Sequence, residues 1–210
     1  EPGHMVSIVG GICFGNTTLI KLLDGYYAAY SGDSFVGGAP ISQLSNHDLR
    51  GKLSYIPQDA QLSRGTIAQN VALSQAKLDA VRVQDCLDQA SLFLESDTPV
   101  GEGGSGLSGG QAQRVSIARA LYRDAPVYLL DEATSSLDSA TEKQLQHTID
   151  TVLRGKTVLV IAHRLSTVRN AHKIVYMEQG RILETGTHEE LLALGGGYAG
   201  LYHSRKVFSR

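Results

Sequence analysis

Leu107-Ser108-Gly109-Gly110-Gln111, followed by the apolar run Val127-Tyr128-Leu129-Leu130 and the acidic pair Asp131-Glu132, decides how this chain folds. Ser108 and Gln111 have the S-x-x-Q spacing of a capping box, so a helix begins here whether or not anything binds to it. Two glycines within the cap are costly for structure alone, and they leave bare N–H groups open to an anion. The run 127–130 is continuous and apolar, as expected of a parallel strand buried on both faces. Two carboxylates at its end suit a solvated surface, but ligands in open α/β sheets gather at the carboxyl ends of buried strands. There Asp131 would hold Mg²⁺, directly or through water, and Glu132 would orient or deprotonate an attacking water.

Working outward, Met5 to Val9 and Thr157 to Ala162 are two more runs rich in Val, Ile and Leu. Helical spacing marks Thr17 to Leu23, Lys77 to Leu94 and Gln111 to Tyr122, the last through Val115, Ala118 and Leu121. Strands alternating with helices predict an α/β domain. Lys173 to Met177 and Arg181 to Glu184 flank Glu178-Gln179-Gly180 and predict a hairpin. The segment 59–106 lacks buried-strand runs and reads as mostly helical. The expected organisation is therefore one domain over 1–210, with an α/β core at about 1–58 and 107–210 and an inserted helical subdomain at about 59–106.

Gly10-Gly11-Ile12-Cys13-Phe14-Gly15-Asn16-Thr17-Thr18 follows the first strand and opens the first helix. This is the context of a phosphate-binding loop, whose backbone N–H groups and helix dipole wrap a phosphate while the hydroxyl of Thr17 binds Mg²⁺. The G-x-x-x-x-G-K-[ST] pattern asks for lysine where Asn16 stands. Without the lysine, an ordinary glycine turn explains the loop equally well when it is taken alone. His163 falls just after the run 157–162, at the matching edge of the sheet. Gln58, after Tyr55-Ile56-Pro57, would reach metal or water, and Asp138 in Ser136-Leu137-Asp138 closely follows the acidic pair.

Composition narrows the classes. A chain of 210 residues, 42% hydrophobic and 19% charged, is long enough for a full core. A net charge of -2 with dispersed Lys and Arg gives no footprint for nucleic acid or an anionic membrane surface. Two cysteines, Cys13 and Cys86, make neither a disulfide framework nor a metal site, and fit a reducing compartment. No apolar stretch approaches the roughly 20 residues that cross a bilayer, so any membrane span is expected in another segment or chain. Opening on Glu1 with a strand from Met5, the sequence reads as part of a larger polypeptide. Gly3-His4-Met5 fits either a natural turn or a cloning scar, with the turn favoured.

Taken together these residues resemble the nucleotide-binding domain of ABC transporters along essentially the whole chain. In order stand a Walker A-like loop at Gly10, a Q-loop at Gln58, the signature Leu107 to Gln111, Walker B at Val127 to Asp131, a D-loop at Ser136 to Asp138 and an H-loop at His163. Gly65-Thr66-Ile67, Val100-Gly101-Glu102-Gly103 and Gly186-Thr187-His188-Glu189-Glu190-Leu191 resemble features of the exporter type. The resemblance implies a P-loop core with a mainly parallel sheet, an inserted helical subdomain and an incomplete N-terminal antiparallel region. It implies an ATPase using ATP and Mg²⁺, with Glu132, His163 and Gln58 catalytic, and Thr17, Gln58 and Asp131 at the metal. Nucleotide would contact the loop 10–18, Gln58, Leu107 to Gln111 and Asp138.

The implied partners are a second ABC ATPase domain, identical or different, docked head to tail, and a transmembrane domain in the same or another chain at the cytoplasmic face of a membrane. Nucleic acid is not an implied partner. Three departures qualify the resemblance. Asn16 lacks the positive charge that contacts the β- and γ-phosphates, and Cys13 stands where these exporters usually have glycine. The aromatic residue that stacks on adenine in relatives lies upstream of their Walker A loop, beyond this chain. A weakened Walker A site beside an intact signature predicts an asymmetric role.

Overall fold

The computed structural model describes residues 2–11, 16–27, 31–73, 78–131, 139–162 and 165–208. In chain order these form β1 (Met5–Gly10), α1 (Asn16–Leu23), β2 (Phe35–Val36), β3 (Ala39–Pro40), α2 (Asn46–Lys52), β4 (Leu53–Ile56), β5 (Gly65–Thr66), α3 (Ile67–Val71), α4 (Ala80–Gln89) and β6 (Pro99–Val100). The second half adds α5 (Gly109–Arg123), β7 (Val127–Asp131), α6 (Ser139–Val152), β8 (Thr157–Ile161), α7 (Leu165–Arg169), β9 (Lys173–Glu178), β10 (Arg181–Gly186), α8 (His188–Leu194) and α9 (Gly197–Phe208). The fold is α/β with a mainly parallel central sheet. Its strand order among the described residues is β10-β9-β1-β8-β7-β4.

Two compact units share the chain. The first comprises 1–49, 129–132 and 155–210, the second 50–128 and 133–154, so β7 is divided between them after Tyr128. In the first unit β1 lies between β8 and β9 and is parallel to both, with Ile8 opposite Ile161 and Val175. A strand paired on both sides and covered on both faces should be mostly apolar, and Ile8 and Val9 are buried, as is the polar Ser7 beside them. The β9–β10 hairpin closes the sheet through Gln179 and Gly180, with φ of 49° and 73°. Two consecutive left-handed residues make the turn whose twist matches antiparallel strands. The outer strand β10 is exposed at Ile182 and Leu183, and a register shift between Ile182 and Glu184 breaks its flat edge. A second, short antiparallel ribbon joins β2 to β3.

In the second unit α5 is buried around most of its circumference. Val115, Ile117 and Ala118 are fully enclosed, and the polar Gln113, Arg114 and Ser116 are buried. The segment 59–106 carries α3 and α4, and β5 pairs antiparallel with β6. The helix expected over Lys77 to Leu94 is shorter. The Asp79 side chain accepts from the Arg82 N–H and starts α4 there, while Ala90 ends it ahead of Ser91, whose φ is 55°. Lys77 itself lies outside the described residues.

Candidate functional site

In the first unit, three strand ends carry the residues singled out in the sequence. β1 ends at Gly10, and Gly11 leads into the loop. β8 ends at Ile161, after which the Ala162 N–H donates to the Ile8 carbonyl at 3.1 Å. β7 ends at Asp131, a buried carboxylate. Parallel pairing of β1 with β8 puts Gly10 and Ala162 at the same edge, the carboxyl-end edge where open α/β sheets hold ligands. The helix after the loop, α1, begins at Asn16. Thr17 and Thr18 form its first turn. Ile12, Cys13, Phe14, Gly15, Glu132, Asp138 and His163 lie outside the described residues.

Lys21 belongs to the last turn of α1, and its ammonium lies 5.8 Å from the Tyr26 ring centroid. Its charge is thus engaged at the helix C-terminus, one end of α1 away from the position where the pattern asks for lysine. Asp131 supplies hard oxygen. Mg²⁺ in nucleotide sites is held by one or two carboxylates together with substrate phosphates rather than by an all-protein cage. Among the described residues no group of three or more His, Cys, Asp or Glu side chains gathers as such a cage. The donor chemistry at this edge fits a cation that arrives with phosphate.

The second unit holds the signature. Ser108 is extended (φ -68°, ψ 159°), its hydroxyl accepts from the Gln111 N–H at 3.2 Å, and the Gln111 side chain accepts from the Ser108 N–H at 2.8 Å. The capping box expected from the sequence is formed. Gly109 and Gly110 occupy the first helical turn, and Ser108 and Gly109 are exposed. The approach to the cap is a bonded turn, with the Gly101 N–H donating to the Ser105 carbonyl at 2.8 Å. Gly104 in that turn is buried at φ 88°, a conformation glycine adopts freely. Gln58 is exposed in the loop after β4.

Sequence patterns did not single out the polar residues inside α5. Gln113 donates from Nε2 to the Pro57 carbonyl at 2.8 Å. Arg114 donates to the Ala90 carbonyl at 3.2 Å and to Gln144 at 3.5 Å, and burial lowers its pKa. Arg119 donates to the Asn70 carbonyl at 2.7 Å, to the Gln61 carbonyl at 2.9 Å and to Asn70 Oδ1 at 3.3 Å. Burial, with Arg123 nearby, lowers the Arg119 pKa to about 10. Polar residues at helix positions flanked by Val115, Ile117 and Ala118 were the available signal.

A parallel-stranded core, a glycine loop entering a helix and a buried carboxylate at a strand end define an α/β nucleotide-binding domain of the P-loop class. Residues 1–135 match the ABC transporter family. The chain is 46% identical, across 98% of its own length and 36% of the relative, to an ATP-dependent lipid A-core flippase of Saccharophagus degradans. It is 46% identical, across 97% of its length and 36% of the relative, to an ATP-dependent lipid A-core flippase of Bordetella avium. A bacterial Atm1-family ABC exporter solved with ATP bound superposes with a TM-score of 0.88 at 36% identity, covering 98% of this chain and 37% of that one. The chain belongs to the ABC transporter family, as an ATPase domain of the exporter type, and it spans about 36% of the length of the curated relatives it matches.

Proposed function

We propose that this domain is the ATP-binding and ATP-hydrolysing engine of an exporter, working at the cytoplasmic face of a membrane beside a transmembrane domain in the same or another chain. The observation that carries this reading is the signature helix, capped by its own side chains and exposed at Ser108 and Gly109. An anion is stabilised by free N–H groups at a helix start, and a nucleotide held by a second, head-to-tail ATPase domain would present its phosphates there. ATP bound by this chain would lie on the loop 10–18, with Asp138 and Gln58 contributing. Mg²⁺ would be held by Thr17, Asp131 and Gln58, and would neutralise charge on the phosphates. Glu132 would orient and deprotonate the attacking water, with His163 and Gln58 assisting. Closure on ATP and reopening after hydrolysis would move the attached transmembrane domain.

Asn16 makes the role asymmetric. Losing a charge-assisted hydrogen bond to phosphate costs about 1.5–3 kcal/mol, which weakens nucleotide binding by roughly 10- to 150-fold. The chain's own Walker A site would therefore bind weakly and turn over slowly, while its signature completes an intact site on a different partner. Titration with a fluorescent ATP analogue plus Mg²⁺ tests this, run on the chain and on Asn16→Lys. Tighter binding and faster turnover by Asn16→Lys are expected. Equal affinity and equal turnover would refute the asymmetry, and no binding by either chain at millimolar nucleotide would refute the engine.

A further inference from the structure

In the first unit the amino ends of β1 and β9 and the carboxyl end of β10 border a cavity of about 300 Å³, with His4, His172, Lys173, Thr187 and Glu190 among its walls. Along β1, Met5 and Gly10 are about 16 Å apart at the rise of an extended strand. The cavity therefore opens at the edge of the sheet opposite the one that carries Gly10 and Asp131. Its volume is at the lower limit of those that hold small organic ligands, and larger than a lone ion needs.

The bonds already made inside the walls determine what they still offer. The His172 backbone N–H donates to the Met5 carbonyl at 3.0 Å, and its ring Nδ1 accepts from the Met5 N–H at 3.0 Å. A neutral imidazole that accepts at Nδ1 carries its proton at Nε2, which stays available as a donor. The ring is held flat against His4, with centroids 4.8 Å and planes 2° apart. The Thr187 hydroxyl accepts from the Glu190 N–H at 3.3 Å, so its own proton is left to donate. Lys173 stands in register with Val6, and among the described residues its ammonium has neither an ion pair nor a hydrogen bond. Glu190 commits Oε2 to the Thr187 N–H at 2.8 Å and keeps Oε1. Gly186 makes room for that carboxylate, since a Cβ there would stand 2.9 Å from Oε2.

We propose that this cavity is a second ligand site, separate from the nucleotide site, for a small zwitterion: a phosphomonoester that also carries an ammonium group. The three terminal oxygens of a phosphomonoester match three donors, the Lys173 ammonium, His172 Nε2–H and the Thr187 hydroxyl, with the charged one the strongest. The ligand's ammonium goes to Glu190 Oε1, and the carbons between its two ends lie on Val6 and the paired imidazoles. An exposed lysine alone signifies nothing. Here it shares a cavity with two neutral donors and a carboxylate oxygen left over from a helix cap. A simple anion would set like charge against Glu190 and a simple cation would do so against Lys173, so a ligand bearing both signs suits the walls best. No residue assigned to ATP or Mg²⁺ takes part, and the site does not rest on the engine reading.

Phosphoethanolamine is the probe, and ethyl phosphate, which lacks the ammonium, is its control. Titrated into the chain and followed by NMR, phosphoethanolamine is expected to shift the resonances of His172, Lys173 and Thr187 together and to leave Gly10 and Gly11 unmoved. Lys173→Met keeps the length of the side chain and removes its charge, and should weaken binding about tenfold or more. Glu190→Gln keeps an oxygen for the Thr187 N–H. It should weaken phosphoethanolamine about fivefold and leave ethyl phosphate bound as before or more tightly. Ethyl phosphate binding the parent as tightly as phosphoethanolamine overturns the zwitterion. Shifts confined to Gly10 and Gly11 would put the phosphate at the nucleotide edge and overturn the site. No shift at millimolar probe, or equal affinity of the parent and Lys173→Met, overturns it as well. Lys173 is exposed, so its substitution should leave the thermal midpoint unchanged; if the midpoint falls, the shifts measured on the parent decide alone.

Discussion

The glycine-rich loop after β1 and the signature before α5 both precede helices and both meet phosphate in the proposed function, yet they are specified in opposite ways. The loop leans on one side chain. Its sequence is rich in glycine, and the P-loop pattern assigns the cationic contact to position 16, where the chain has asparagine. The signature distributes its specification over a reciprocal cap, Ser108 with Gln111, and over the helix behind it, which Gln113, Arg114 and Arg119 fasten to the loop 57–61, to Asn70 and to Ala90. A site resting on a single charge can lose its chemistry without losing its fold. A site built into a buried helix cannot.

The greatest effect should come from restoring that charge. Asn16→Lys supplies a positive group to the transferring phosphate, a contribution on the order of 10³-fold in turnover by analogy with arginine fingers. Phosphate release under saturating ATP measures it. A gain of less than about tenfold would mean that Cys13, or something else in the loop, limits catalysis, and that the contrast does not reduce to one charge.

Next in size is Asn70→Ala, which strikes the distributed side. It takes from Arg119 one of three acceptors, Asn70 Oδ1, and deprives the Ser63 N–H and carbonyl of their amide partner, at roughly 1–3 kcal/mol for each buried group left unpaired. We expect a loss of about 3 kcal/mol in the denaturant midpoint analysis, with the affinity for an ATP analogue unchanged at the first unit's loop. If affinity fell in proportion, the two helix starts would not be independent.

How much of this was legible depends on the range over which each feature is determined. β1, β7 and β8 were readable because a strand paired on both sides is mostly apolar; β1 and β7 run one residue past their expected ends, at Gly10 and Asp131, and β8 stops one short, at Ile161. The cap at Ser108 was readable because both partners lie within three residues. The short ribbons β2–β3 and β5–β6 were not readable, since two residues carry no period, and the sheet order needed pairings between segments more than 150 residues apart, such as Met5 with Val158. Gln113 and Arg119 escaped notice for the same reason. Nothing within α5 says that Pro57 and Gln61 lie against it. Of the candidate site, Asp131, Gly10 and Ser108 to Gln111 fall on the strand ends and helix start expected of them.

Ser108→Ala is a smaller perturbation of the same comparison. It removes the acceptor for the Gln111 N–H and half of the reciprocal cap, which costs about 1 kcal/mol and lowers Tm by roughly 2–4 °C in a chain of this size. Because the rest of α5 is held by burial, the helix should persist in circular dichroism. A loss of helix content beyond one turn would show that the cap, and not the packing, sustains the signature.

The smallest effect concerns alkaline pH and compares two buried phenols, one on each side. In the second unit Tyr128 has its pKa pushed up to about 12, by burial first and then by the negative charge of Asp124, the left-handed residue that closes α5. In the first unit Tyr198, bonded at 2.7 Å to His188 Nδ1, is likewise raised to about 12, mainly by burial. Both groups keep their protons in the folded chain where the unfolded chain, with phenols near 10, gives them up. The unfolded state then binds fewer protons, so stability falls as pH rises. The contribution is whole below about pH 10 and is lost on the way to about 12. Tyr128→Phe cannot ionise, so its Tm should decline less steeply over that window than the parent's. Tyr198→Phe should do the same for the other unit. If only one substitution flattens the alkaline limb, the unit holding that phenol is the one whose opening limits stability at high pH. A flat response to both would mean that neither phenol is shielded as the burial of Tyr128 and Tyr198 requires.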